Sequence, residues 1–508
     1  MVSSTVALAA TVATLAVFTA AGLLYARGRV GSVEDLLTAR NSTGTAMTTA
    51  TLIASTMGAW ILFSPAEAGA AFGGVTAILG YAIGSAIPLL LFIPVGARIR
   101  ELMPSGHSLT EFVLVRFGPV MYVFVLIVSV FYMFIFLAAE MTAIAGSMAL
   151  VAGVPAWQTA TAIGLFVLIY TAYGGLVASI FTDTIQTLVI LPLLALGFTA
   201  AVFSLGGTGE IYSTAMSTNP DLLNPGFRPG LEFGLYVVFA ILGANMLNQG
   251  IWQRVYAADG EATLRRSFAV AALTVVPMVL LAGLFGVAAA GLGLVTPETQ
   301  SVAFFLVVTE VLPDTLVFVV VLLVVLLVMS SADTMFNAIS SLVTVDIARL
   351  VEVENERSLK LTGRALTVLV AIGAVWIGAQ GYSVLALFLT ADLFAAAVFV
   401  PLIWGLYTPS LSEAGALVAS IAGLVVGIAY FPMLRGVLSV VPGLVPLLPE
   451  PSFLAAFLGA TAVSVVVTAI AVFVGTENFA FDSLSTRIRS FDESTDDATT
   501  TSTGEVSD

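Results

Sequence analysis

From Thr315 to Ala332, eighteen consecutive residues carry no charge, and most of them are Val or Leu. At about 1.5 Å per residue, such a run reaches nearly across a bilayer core roughly 30 Å thick. Comparable runs recur along the chain near residues 5–26, 45–72, 75–96, 119–150, 156–173, 178–205, 232–255, 268–294, 314–348, 364–380, 384–407, 412–431 and 453–474. Lipid offers no partner for backbone N–H and C=O groups, so segments of this length cross it as helices. The expectation is an all-α integral membrane protein with about thirteen spans.

Composition agrees: 59% of the 508 residues are hydrophobic and 9% are charged, too few to cover a soluble protein of this size. Cysteine is absent, which excludes disulfides, thiolate metal sites and cysteine nucleophiles, and the single histidine excludes a multi-histidine cluster. That histidine, His107, lies between Pro104 and Thr110 and reads as a solvated loop residue. The net charge of −14 leaves no basic surface for nucleic acid. One lysine, Lys360, stands against sixteen arginines, and excess acid with little lysine suits a salt-rich cytoplasm, so a halophilic source is expected.

The distribution of positive residues sets the orientation. With thirteen spans and an external N-terminus, fifteen of the seventeen Lys and Arg residues fall on the inner side, and only Arg228 and Arg435 fall outside. A multi-pass protein of the cell membrane with a cytoplasmic C-terminus follows. The first run, Val6 to Tyr25, is followed rather than preceded by Arg27 and Arg29, so it reads as a retained span and not a cleaved leader. The expected segments are 1–44 (first span and inner loop), 45–206 (spans two to six), 207–230 (outer loop), 231–410 (spans seven to eleven), 411–475 (spans twelve and thirteen) and 476–508. The last is an acidic tail whose end, Asp492 to Asp508, has little to bury and is expected to be disordered.

Two spans interrupt themselves. The second contains Ser55-Thr56-Met57-Gly58-Ala59-Trp60 and then Pro65 and Gly69; the seventh contains Gly243-Ala244-Asn245-Met246-Leu247-Asn248-Gln249-Gly250. Small residues also serve close helix packing, but breaks at matching positions five spans apart point to two five-helix repeats of opposite orientation, spans 2–6 and 7–11. Broken helices in such repeats hold solute and ions near the midplane.

Ionisable residues inside spans are costly and mark functional candidates. Five stand out: Glu67, Glu140, Asp183, Asp333 and Asp392. Ser330, Asp333 and Thr334 share one helix stripe with Ser331 beside it, and these hydroxyls, with carbonyls freed by a broken helix, form an oxygen set suited to a hard monovalent cation. Asp183 sits near the inner end of span six. Glu140 has three readings open: touching solute, taking a proton, or pairing silently.

With these residues assembled, the chain resembles the sodium:solute symporter family, whose members share the inverted-repeat fold of the bacterial leucine transporter. The resemblance spans roughly residues 30 to 410. It rests on Ala54-Ser55-Thr56-Met57-Gly58-Ala59-Trp60, on Tyr173-Gly174-Gly175-Leu176 with Thr182-Asp183, on Asn248-Gln249 with Trp252-Gln253-Arg254, and on Met329-Ser330-Ser331. It implies a principal Na+ site made by carbonyls of Ala54, Met57 and Leu327 with the hydroxyls of Ser330 and Ser331. A second Na+ site or a release path would involve Asp183, Asp333 and Thr334, where a carboxylate replaces an expected hydroxyl. Solute is expected near Thr56, Trp60, Glu67, Glu140, Asn245, Gln249 and Trp252. Between Trp60 and Gly118 the chain is similar to the urea-transporting branch, in the run from Gly80-Tyr81 to Leu91-Phe92 and in Pro104, His107 and Glu111. Glu67 and Glu140 depart from that pattern and suit a cationic solute, a polyamine or quaternary amine, better than neutral urea.

The expectation is therefore a Na+-coupled symporter of a small polar solute, urea or a similar amide first, working by alternating access. Its partners are the solute, Na+ and the bilayer, with no organic cofactor, nucleic acid or obligate protein partner. Proton coupling through Glu140 or Asp333 and a membrane solute sensor are the alternatives, and no nucleophile–base or metal constellation points to an enzyme.

Overall fold

A computed structural model describes residues 3–30, 37–350 and 356–488. The acidic segment Asp492 to Asp508 lies outside the described residues. Among those described, regular structure is helical, apart from one isolated parallel bridge between Thr43 and Ala258.

In chain order the helices are α1 (Ser4–Ala26), α2 (Thr45–Thr56), α3 (Trp60–Glu67), α4 (Gly74–Leu102), α5 (Leu109–Arg116), α6 (Pro119–Ala152) and α7 (Ala156–Ser204). There follow α8 (Thr208–Thr218), α9 (Arg228–Met246), α10 (Gln249–Ala257), α11 (Glu261–Gly291), α12 (Ala303–Val311) and α13 (Asp314–Leu350). The last are α14 (Glu356–Gly378), α15 (Val384–Gly405), α16 (Glu413–Tyr430), α17 (Phe453–Val474) and α18 (Asp482–Arg487).

Ten helical stretches among the described residues are long and apolar enough to cross a membrane. The difference from thirteen has local causes. The run at 45–72 is broken, and its second half continues through a π-turn at Ala68–Gly73 into α4 as one apolar stretch. The runs at 156–173 and 364–380 contribute apolar stretches of only Ala156–Ile169 and Ala365–Gly378.

Both expected interruptions are present. The second run breaks at Met57–Ala59, between α2 and α3, and the seventh at Leu247–Asn248, between α9 and α10. Asn248 caps α10, its side-chain oxygen accepting from the Gly250 N–H at 2.9 Å. In α7 the chain turns sharply at Gly175 (φ 53°, ψ −146°), a backbone conformation open essentially to glycine, which separates the fifth span from the sixth.

Helices α13 and α15 lie at the centre, with 72% of their spanning residues buried against 28% for α1, α16 and α17. α13 packs on α6 and α7, α2 on α7 and α11, and α15 on α6 and α9. Large apolar side chains such as Leu188, Phe203, Leu273 and Phe473 face outward, as lipid contact permits.

Candidate functional site

At the first break, Met57–Ala59 leaves the leading N–H groups of α3 without helical acceptors. Glu140, on α6 and fully buried, supplies them: one carboxylate oxygen accepts from Ala59 N–H at 2.7 Å and the other from Trp60 N–H at 3.4 Å. Gly58 makes this approach possible, since a Cβ there would stand 2.2 Å from the carboxylate. The oxygen that takes the Ala59 proton also accepts from the Ser331 hydroxyl of α13 at 2.8 Å. Ser331 is 3.0 Å from the Leu327 carbonyl as well. Ser330 donates to Asp183 Oδ1 at 2.5 Å. The structure thus brings the first break, the hydroxyl pair Ser330–Ser331 and two buried carboxylates to one place. Ala54 and Met57, at the end of α2, are buried on its edge. A hydroxyl that spends its one proton on a carboxylate has only lone pairs left to offer, which fits this group to a bare cation.

One turn further along α13 the expected second ion position looks different. Arg254 of α10, counted from sequence among the inner-side charges, is fully buried. Its Nη2 donates to Asp183 Oδ2 at 3.0 Å, to Thr334 at 2.8 Å and to Ser179 at 3.3 Å, and its Nε donates to Thr51 at 3.2 Å. Asp333 accepts from Ser179 at 2.8 Å. A guanidinium therefore already sits among Asp183 and Thr334, the residues proposed for a second Na+. The signal for this was the Trp252-Gln253-Arg254 motif itself; spacing alone does not pair it with residue 183.

The expected solute residues divide into two groups. Trp60, at the start of α3, ties across the break by donating from its indole to the Thr56 carbonyl at 3.0 Å. Its ring stacks on Tyr81 at 5.8 Å and meets the edge of Phe388 at 6.4 Å. Phe388 lies 5.0 Å from Phe136, which lies 6.2 Å from Tyr132. Asp392 lies one turn beyond Phe388 of this aromatic wall on α15, a position that sequence marked as an in-span acid but did not assign. Asp392 is 4% exposed, its Oδ1 has no hydrogen-bond partner, and the phenols of Tyr81 and Tyr132 lie within its electrostatic reach. Glu67 sits at the far end of α3, where both its oxygens accept from Ser383 at the start of α15.

Asn245, Gln249 and Trp252, around the second break, each make a hydrogen bond to a main-chain carbonyl. Asn245 donates back to Ile241 at 2.9 Å, and Trp252 is fully buried, donating to Met246 at 2.8 Å and packing edge-on against Phe92 at 4.8 Å. Gln249 donates to the His107 carbonyl at 2.8 Å. His107 is not solvated: its ring is buried and Nδ1 lies 3.0 Å from Glu111, whose own side chain completes a capping box with Ser108 at the start of α5. Arg40 donates to the carbonyls of Pro104 (2.6 Å) and Gly106 (2.8 Å), so the loop holding His107 is sewn to α10 and to the segment before α2. Local polarity suggested a loop, and tertiary closure buried it.

Comparison with known proteins identifies the family and the fold. The sequence profile of the Sodium:solute symporter family matches residues 36–423. A spermidine transporter of Candida albicans is 27% identical over 387 residues, 75% of this chain and 71% of that protein. A probable urea active transporter of Schizosaccharomyces pombe is 26% identical over 252 residues, 46% of this chain and 37% of that protein. The solved structure of a Na+-coupled sialic acid symporter in a substrate-bound outward-open state superposes with a TM-score of 0.73 at 17% identity, covering 93% of this chain and 99% of that one, which establishes the fold. The chain belongs to the sodium:solute symporter family: it is a multi-pass membrane transporter of leucine-transporter-like fold, and not an enzyme.

Proposed function

We propose that the protein carries a small polar organic solute across the cell membrane together with Na+, by alternating access, with its N-terminus outside and its C-terminus in the cytoplasm. The observation that carries the ion assignment is the meeting of the break at Met57–Ala59 with Ser330 and Ser331. Na+ there would draw on the carbonyls of Ala54, Met57 and Leu327 and on both hydroxyls, and so steady the break. Trp60 belongs to both halves of the device. Its backbone N–H answers to the ion side through Glu140, and its ring forms the solute wall. Filling both sites permits the rocking step, driven by the Na+ gradient and by a membrane potential of about 2.3 kcal/mol per charge per 100 mV.

For the solute, urea or a similar amide was the first reading from sequence. Asp392 favours a cationic one. A buried carboxylate oxygen without a partner is costly, an ammonium group would pair with it, and the faces of Trp60, Tyr81 and Phe388 attract cations. Glu67, on α3, accepts from Ser383 at the start of α15, nine residues and so about 14 Å of helix axis before Asp392, a span that a linear diamine or polyamine could bridge. The spermidine transporter similarity supports this reading.

Uptake into proteoliposomes tests both parts. Spermidine and urea are offered under inward gradients of Na+, K+ or H+ in turn. Spermidine uptake that requires Na+ is expected. Uptake driven equally by a proton gradient without Na+, or unaltered Na+-dependent uptake by the variant with both Ser330→Ala and Ser331→Ala, would overturn the ion assignment. Urea uptake with no response to spermidine would overturn the cationic one.

A further inference from the structure

Resting on the Na+ reading above, we propose that Glu140 is the countercharge of the ion site rather than a solute ligand, and that it acts through Ser331. Three observations converge on this. First, the two neighbouring hydroxyls are served separately: Ser330 donates to Asp183 and Ser331 to Glu140. Each serine in a membrane helix ordinarily returns its proton to a carbonyl one turn back, and Ser331 retains that contact with Leu327 at 3.0 Å. The additional carboxylate raises the electron density on the Ser331 oxygen.

Second, Glu140 has no protein countercharge among the described residues. Asp183 is paired with Arg254 at 3.0 Å, both fully buried. Glu140 is equally buried, yet its partners are the Ala59 and Trp60 N–H groups and one hydroxyl; among the described residues no Arg, Lys or His pairs with it. A buried carboxylate in this position calls for a cation, and a monovalent ion between the break and Ser331 supplies it.

Third, the carboxylate of Glu140 is engaged by the break itself. Gly58 lies so close that a Cβ would fall 2.2 Å from Oε1, and the Ala59 and Trp60 N–H groups donate to its two oxygens. Tyr132, Phe136 and Glu140 follow one another at four-residue intervals on α6, so one stripe passes from the solute wall to the ion site.

The test reads Na+ alone. The thermal midpoint of purified protein is followed as NaCl replaces KCl at constant ionic strength, without solute. Wild type is expected to rise saturably with Na+. In Glu140→Gln, which keeps size and removes charge, the midpoint in pure KCl should stay close to wild type while the half-saturating Na+ concentration rises tenfold or more. Glu140→Asp should recover part of that loss, and Glu232→Gln, a distant surface change, should leave the titration unchanged. The Gln substitution should add nothing to Ser331→Ala, since both act on the same oxygen. If E140Q fails to fold, Glu140→Asp decides, because it draws the carboxylate back from Ser331 by one methylene, and an unchanged half-saturating Na+ concentration in it would overturn the proposal. Unchanged half-saturation in E140Q would also overturn it, while leaving the Na+ reading intact. A wild type that responds equally to NaCl and KCl would overturn the Na+ reading itself.

Discussion

Arg254 and Asp183, seventy-one residues apart in sequence, form an ion pair 3.0 Å long with both side chains wholly out of solvent. The pair joins α10, the second half of one broken helix, to α7, and the same guanidinium reaches Thr334 on the unbroken α13 and Thr51 on α2. Breaking such a pair from one side strands a buried charge, at about 3–5 kcal/mol. Arg254→Gln is therefore expected to lower the thermal midpoint sharply, and the double variant with Asp183→Asn to recover part of the loss. Midpoints of the two singles and the double, measured in one detergent, check this; additive losses would contradict it.

Asp392 should matter to the solute and not to the fold. Its Oδ1 already lacks a partner, so Asp392→Asn removes an uncompensated charge and should leave the midpoint equal or higher. The half-saturating concentration of a cationic solute should rise about tenfold or more, equivalent to about 1.4 kcal/mol of lost binding. Concentration-dependent uptake by the two proteins, run at saturating Na+, measures it.

Gly58 and Gly146 make a matched pair for the break. A Cβ at Gly58 meets the Glu140 carboxylate, whereas one at Gly146 meets nothing within 4 Å. Gly58→Ala should cost about 1–3 kcal/mol through overpacking and weaken Na+-dependent stabilisation. Gly146→Ala should leave both unchanged. Thermal titrations in NaCl and KCl separate the two outcomes.

Gly175 holds α7 in its turn with a positive φ of 53° and ψ of −146°. An alanine there must either adopt that conformation, at about 1–3 kcal/mol, or straighten the helix and shift Asp183 and Ser179 away from Arg254. Loss of folded monodisperse protein, or a large fall in midpoint on size-exclusion and thermal assays, is expected for Gly175→Ala.

The residues proposed for the ion site were readable in the chain, because they are marked by local features. Ser330 and Ser331 are neighbours on one helix, and the Gly58 and Asn248 interruptions show as polar, glycine-bearing steps within apolar runs. The solute side was less readable. Trp252 and Gln249 looked like pocket residues from their neighbourhood to the second break. Trp252 donates to Met246 within the broken helix, and Gln249 donates across the fold to the His107 carbonyl while its side-chain oxygen has no partner. Asp392 was conspicuous as an in-span acid, but only the approach of α6 and α15 brought Phe136 and Trp60 onto Phe388, one turn before it, and Tyr132 into its electrostatic reach.

The sequence by itself determined that this chain lives in lipid, where its helices run and where two of them break. Hydropathy and the helical hydrogen-bond ladder act over a few residues and take no account of distant neighbours. Tertiary structure alone decided which charge meets which: Arg254 with Asp183, Glu140 with the opened end of α3, His107 with Glu111 in a buried loop. A buried polar group must find its partner wherever packing brings one within about 3 Å, and for Glu140 and the end of α3, eighty-one residues of chain separate the two.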